Sequence, residues 1–216
     1  MTRINLKLKS IDGTEINGCG PDIDAKALEQ LMEKIDRLGD GDVLVLAGSI
    51  PYTMPDDMYQ RILERIQGRG VLTVVDATRD LLVKVLPYHP FLVKPNNYEL
   101  GEIFGVKLST REEVVPYGKK LQEMGAQNVL ISMAGEGAVL IAADGQSMGA
   151  PAPKGTLVNG VGAGDSMVAG FLTGWMEKKD YVHAFHMGIA AGSASAFSEN
   201  LATREEVLQV LQQVEQ

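Results

Sequence analysis

Residues 158–175 read V-N-G-V-G-A-G-D-S-M-V-A-G-F-L-T-G-W. A glycine-punctuated turn at 160–164 runs straight into a helix, on which Val168, Phe171, Leu172 and Trp175 recur at i, i+3, i+4 and i+7 and give one apolar face. The first turn of a helix leaves its N–H groups unpaired, and the helix dipole places partial positive charge there. Glycines let a ligand approach the backbone closely, so this end has the makings of an anion cradle. Asp165 lies inside the cradle. A carboxylate beside an anion site is the pattern of a base that takes a proton from a nucleophile while the amides of Gly162, Ala163 and Gly164 receive the developing charge. The same residues also read as a glycine-rich strand-to-helix turn with Asp165 as a cap or first-turn acid. The stretch alone leaves both readings open.

The flanking chain sets the fold class. Residues 2–9 alternate apolar and polar side chains, Asp12-Gly13 signals a turn, and 14–17 supplies a returning strand. Asp24 caps a helix whose buried stripe is Leu28, Leu31, Met32, Ile35 and Leu38. Residues 43–47 form a continuous apolar run, the mark of a strand covered on both faces. Pro55, Asp56 and Asp57 open the next helix. Buried strands follow at 72–75, 91–93 and 129–131, with helices at 80–86, 98–104 and 110–124 between them. Ser109 or Thr110 caps the last of these helices. A hairpin turns at Asp144-Gly145, a small-residue helix covers 184–197, and a capping box of Thr203 and Glu206 starts the final helix. This alternation predicts one α/β domain over 1–216 with a mostly parallel sheet and helices on both faces. Ligands of such sheets bind beyond the carboxyl ends of the strands. Gly48-Ser49, Asp76, 94–96, 132–137 and 160–165 all fall there, on one rim.

Composition narrows the function classes. The chain has 216 residues, 45% apolar and 22% charged, which suits a globular domain with a sizeable core. A net charge of −8 argues against nucleic acid or an anionic membrane as partner, so any phosphate site must be local. Cys19 is the only cysteine, which excludes an intrachain disulfide and fits a reducing, cytoplasmic setting. No apolar run approaches membrane-spanning length.

Several rim residues suit phosphate chemistry. Asn96 and Glu99 lie three apart where a helix begins, and an amide oxygen beside a carboxylate suits a partly hydrated Mg²⁺; a helix cap with a first-turn acid is the plainer reading. Lys94 can neutralise a phosphate or be a strand-end surface lysine. The loop Ser132, Met133, Ala134, Gly135, Glu136, Gly137 allows close approach of a nucleotide or simply makes a turn. Ser49 is a small donor at a strand end, and Arg3 can hold a phosphate bidentately or face solvent. His89, His183 and His186 lack metal-ligand spacing and are read as structural. An anion cradle, an internal carboxylate, a cation pair and a lysine are the parts of phosphoryl transfer. Neither a P-loop nor the protein-kinase signatures are present.

Gly162-Ala163-Gly164-Asp165 together with Asn96-x-x-Glu99 resembles the ribokinase-like (PfkB) carbohydrate kinases. T-R-I-N at 2–5, T-E-I-N at 14–17, G-P-D-I at 20–23 and V-G-A-G-D-S-M-V-A-G-F at 161–171 resemble the branch acting on sugar phosphates. The resemblance implies a three-layer α/β/α fold with the remnant of a small β-lid at about 2–20, which in a complete lid can pair two copies. It implies ATP and Mg²⁺ as cofactors and transfer of the γ-phosphate to the 6-hydroxyl of fructose 1-phosphate, with tagatose 6-phosphate or fructose 6-phosphate as alternatives. By that resemblance Asp165 is the base, residues 162–164 the anion hole, Asn96 and Glu99 the metal organisers, 132–137 an ATP contact, and Arg3 with Ser49 the sugar-phosphate contacts. Ala134 stands where the family loop often has glycine. Family members also carry N-P-A-L-D-like and G-G-K-G segments ahead of the T-R-I-N strand, which this chain does not contain. A C-terminal portion of such a kinase, binding ATP weakly and turning over little sugar phosphate, is therefore expected; a catalytically impaired nucleotide-binding module is the rival.

Overall fold

The computed structural model describes residues 4–8 and 14–215; Arg3 and the Asp12-Gly13 turn lie outside them. Strands β1 (Asn5–Leu8) and β2 (Thr14–Asn17) pair antiparallel as a separate two-stranded ribbon. The main sheet has six strands in chain order: β3 (Val43–Ala47), β4 (Leu72–Asp76), β5 (Leu92–Val93), β6 (Asn128–Ser132), β7 (Ala138–Ile141) and β8 (Ser147–Ala150). The first four are parallel and the last two add on antiparallel, so the sheet is mostly parallel as expected.

Side chains alternate across the sheet, and each face has its own helical layer. Val75, Val93, Val129, Ile131 and Val139 pack on one side against α1 (Ala25–Ile35), α2 (Met58–Ile66), α3 (Arg79–Val85), α4 (Asn97–Phe104) and α5 (Arg111–Glu123). Val74, Leu92, Leu130 and Leu140 pack on the other against α6 (Ala163–Lys178) and α7 (Tyr181–Phe197), and α8 (Arg204–Val214) lies on α7. Among the described residues no helix is long and apolar enough to cross a membrane.

Local signals act where the sequence places them. Asp24 accepts the Ala27 N–H at 2.7 Å, and Thr110 and Thr203 form capping boxes with Glu113 and Glu206. Two expectations change. Helix α2 begins at Met58 because residues around Pro55 form a turn, and Asp57 pairs with Arg61 instead of capping. Strand β3 is an edge, not a strand covered twice: Leu46 is buried, but Val45 is 41% exposed. The α6 and α7 layer has its fully buried sheet partners on β4 to β7 and none on β3.

Helices α6 and α7 approach unusually closely. A Cβ on Gly170 would lie 2.4 Å from the Met187 carbonyl oxygen, and one on Gly192 would lie 3.0 Å from the Ala163 oxygen. These small residues bring the last turns of α7 against the first turn of α6, which sets the wall of the site described next.

Candidate active site

The pairing of Val75 with Val93 puts Asp76 and Lys94 side by side at the carboxyl ends of their strands. Both follow Val74 and Leu92 on the face that α6 covers. Lys94 is buried, its Nζ is 3.1 Å from Asp76 Oδ2, and a Cβ on Gly164 would lie 3.3 Å from that Nζ. The ammonium is thus held under the first turn of α6; it is not a surface lysine. Burial pushes the Asp76 carboxyl above its ordinary range, with Lys94 opposing the shift and the charge of Asp165 adding to it.

Helix α6 starts from Gly162 at φ +81°, a left-handed turn that glycine adopts without strain. The Ala163 N–H reaches back to the Gly160 oxygen at 3.3 Å and the Ser166 N–H to Gly162 at 2.8 Å. Among the described residues the Gly164 and Asp165 N–H groups have no backbone carbonyl acceptor, as is usual for first-turn amides. Asp165 is exposed in that same turn. An anion at this point would meet two open amides, the positive end of the dipole and the Lys94 ammonium.

Asn96 and Glu99 form the capping box of α4. Asn96 Oδ1 accepts the Glu99 N–H at 2.8 Å, and Glu99 Oε2 accepts the Asn96 N–H at 2.8 Å. Asn96 Oδ1 and Glu99 Oε2 are therefore committed to the helix end. Burial raises the Glu99 pKa, with the Asn96 N–H and Lys94 opposing and Asp76 adding. Among the described residues no group of three or more His, Cys, Asp or Glu is placed to hold a metal. An amide and a single partly buried carboxylate fit only a cation that keeps most of its water or takes phosphate oxygens, which is the habit of Mg²⁺.

The loop at 132–137 closes the β6–β7 hairpin. Ser132 is bridged to Asn96, which joins this loop to the start of α4. Met133 is a core side chain at 4% exposure, so only its backbone can face a ligand. Ala134 sits at φ +47°, which explains why glycine suits that position. Gly137 at φ +92° admits no other residue: a Cβ would lie 2.0 Å from the Ala150 oxygen. Glu136 is exposed. A cleft of about 760 Å³ runs from this loop to Gly160, Ala163 and Gly164, with Asn96 and Ser132 along its side. Gly164 belongs to both regions, lining the cleft and covering Lys94. Ser49, exposed after Gly48, lies at the end of β3, where the Gly48 N–H bonds the Asp76 oxygen at 2.9 Å. Two of the histidines are tied into the fold: His183 pairs with Glu177 at 3.1 Å, and His89 Nδ1 meets the Gly125 oxygen at 3.0 Å.

A model of the pfkB family carbohydrate kinases matches residues 1–207. The chain belongs to the pfkB family. It is 49% identical to the 1-phosphofructokinase of Bacillus subtilis (strain 168), covering 99% of this chain and 70% of that protein. It is 33% identical to the D-tagatose-1-phosphate kinase of Bacillus licheniformis, covering 100% of this chain and 71% of that one. Among solved structures, phosphofructokinase-2 of Escherichia coli superposes with a TM-score of 0.87 at 22% identity, over 99% of this chain and 71% of that one. Arabidopsis thaliana ribokinase superposes at 0.70 and 20% identity, over 92% and 64%. The fold is therefore the ribokinase fold, and the chain is a sugar kinase of the pfkB family, a phosphotransferase.

The pfkB rim holds more than sequence reading assigned. Asp76 stood on the rim without a role; aligning the strand ends V-V-D and L-V-K in parallel would have paired it with Lys94. The far wall of the cleft comes from Pro153, Gly155 and Leu157 and from Ile189, Gly192 and Phe197 of α7. The small residues of α7 signal close packing in any helix, and nothing in their spacing marks a ligand wall.

Proposed function

We propose that this chain transfers the γ-phosphoryl group of ATP to the 6-hydroxyl of fructose 1-phosphate. The observation that carries the reading is the buried Lys94 ammonium, held by Asp76 against the first turn of α6 one residue from Asp165. The cleft, with its apolar wall of Leu157, Ile189 and Phe197, takes the nucleoside, and its Gly160–Gly164 end takes the phosphates. Mg²⁺ held through Asn96, Glu99 and water would neutralise the β- and γ-oxygens. Asp165 accepts the 6-hydroxyl proton as the new O–P bond forms and the bond to the β-phosphate oxygen breaks, releasing ADP. The open amides and Lys94 stabilise the charge on the transferring group. Ser49 and Arg3 are assigned to the sugar phosphate. The β1–β2 ribbon, with Ile4, Leu6 and Ile16 exposed, is assigned to a lid within a single kinase domain over 1–216; a complete lid would pair two copies.

The resemblance to a D-tagatose-1-phosphate kinase along the whole chain supports a second substrate, tagatose 1-phosphate, ahead of the 6-phosphates. It differs from fructose 1-phosphate only in configuration at one carbon and offers the same 6-hydroxyl. Phosphorylation of a panel of the two 1-phosphates and fructose 6-phosphate, followed with radiolabelled ATP, tests the assignment. Transfer to fructose 1-phosphate is expected to be fastest, and preferential transfer to fructose 6-phosphate would overturn it.

A further inference from the structure

Along the α6–α7 interface glycines and alanines admit the close approach, with Met167, Phe171 and Met187 packed against them. Gly170, Gly174, Gly188 and Ala191 meet along its length, but at the end carrying the anion loop two serines face each other. Ser195 is 3% exposed; its Oγ donates to Ser166 Oγ at 2.8 Å and accepts the Ala202 N–H at 3.1 Å. Ser166 directly follows Asp165, and its own N–H closes the first turn onto Gly162. Gly192 and Ser195, three apart on α7, thus meet Ala163 and Ser166, three apart on α6.

The turn between α7 and α8 grips the same loop at two more points. The Asn159 Nδ2 donates to the Glu199 oxygen at 3.0 Å, and Leu201 packs where a Cβ on Gly162 would stand, 2.6 Å away. That turn is itself tied to α8: Ser198 Oγ lies 3.3 Å from Glu206 Oε1, the acid of the α8 capping box. A buried hydroxyl pair adds little net stability over a well-packed apolar pair, because each hydroxyl exchanges water for its partner. What it adds is direction: one rotation of the α6 first turn satisfies Ser166, Ser195 and Ala202 together.

We infer that Ser195 is a positioning residue for the anion loop, acting through Ser166 and fixing how the Gly164 and Asp165 amides face the cleft. It touches no substrate. Its role couples the α7–α8 turn, and through it the C-terminal helix, to the site. The nucleotide part of the test rests on the reading above; the exchange part does not.

The experiment compares the wild type with Ser195→Ala, Ser166→Ala and the double variant. Amide hydrogen exchange is read at Ser166, whose N–H bonds the Gly162 oxygen, against the β6 amides, and affinity is read for ATP and for AMP, which lacks the β- and γ-phosphates. Each single variant is expected to speed first-turn exchange about tenfold relative to β6, the size of one lost neutral hydrogen bond. Each should lower the ATP-to-AMP affinity ratio several-fold while AMP binding holds, and the double variant should be no worse than the worse single one. First-turn exchange that rises only in step with β6, or an unchanged ratio at a lowered melting temperature, assigns Ser195 to packing alone and overturns the inference. A wild type that binds neither nucleotide overturns the nucleotide reading instead, and the exchange result still decides the position of Ser195.

Discussion

Replacing Lys94 by Met removes the charge that opposes the burial of Asp76. The two side chains are 7% and 19% exposed with 3.1 Å between Nζ and Oδ2. Deleting one partner of a buried pair costs about 3–5 kcal/mol because the survivor stays desolvated, against about 0–1 kcal/mol for a surface pair. Asp76 keeps some access to water, so Lys94→Met is expected near the low end, about 3 kcal/mol. With a urea dependence of about 1–3 kcal/mol/M, the unfolding midpoint should fall by roughly 1–3 M.

The deficit should also depend on pH. Burial already holds the Asp76 pKa above its unfolded value, and without Lys94 the like charge of Asp165 acts unopposed. A carboxyl whose pKa is raised by folding costs stability while ionised and returns it as the pH falls through the folded value. The loss in Lys94→Met is therefore largest at neutral pH and shrinks on mild acidification. Asp76→Asn combined with Lys94→Met, which removes both charges, should recover most of it. Equilibrium urea unfolding followed by circular dichroism at neutral and mildly acid pH measures all of this. A loss below about 1 kcal/mol that ignores pH would show the pair to be solvated and would refute the buried-ammonium argument.

Three other substitutions, and a second readout of Lys94→Met, probe separate parts of the molecule. Ala134→Gly relieves a left-handed residue at φ +47° and, after the extra freedom of glycine in the unfolded chain, should raise stability by up to about 1 kcal/mol; a lower melting temperature would contradict that geometry. Gly137→Ala forces both φ +92° and a clash with the Ala150 oxygen, so a loss above about 2 kcal/mol is expected in urea unfolding. Glu99→Gln keeps an oxygen for the Asn96 N–H but loses the charge, so helix content should hold while the Mg²⁺ concentration for half-maximal nucleotide binding rises several-fold. Magnesium titrations with equal midpoints would remove Glu99 from the metal site. Lys94→Met should also weaken ATP binding about ten- to a hundredfold, the worth of one charge-assisted contact, while AMP binding changes little in calorimetry.

What could be read from the sequence is what local chemistry decides. The caps Asp24, Thr110 and Thr203, the buried strands around Val74, Leu92 and Leu130, and the hairpin at Asp144-Gly145 are set by neighbours a few residues away. The rim was legible for the same reason, since its clusters end strands, except 160–165, which opens helix α6. The burial of Lys94 was not, because it depends on the β4–β5 register and on where α6 lands across more than sixty-five residues of intervening chain. Val43–Ala47 reads as doubly covered because apolar content says nothing about which strand is at the edge. The α7 wall and the Ser195–Ser166 contact escaped because serine, alanine and glycine look alike in any closely packed helix.

The proposed mechanism turns on Asp165 taking the proton from the attacking hydroxyl. Asp165→Asn keeps the size and the exposed first-turn position of the side chain and removes only the basic oxygen. Phosphoryl transfer from radiolabelled ATP to fructose 1-phosphate, measured beside ATP affinity, separates chemistry from binding. Turnover is expected to fall about a hundredfold or more, with ATP affinity within about twofold of the wild type. Turnover that survives the substitution would show that Asp165 is not the base.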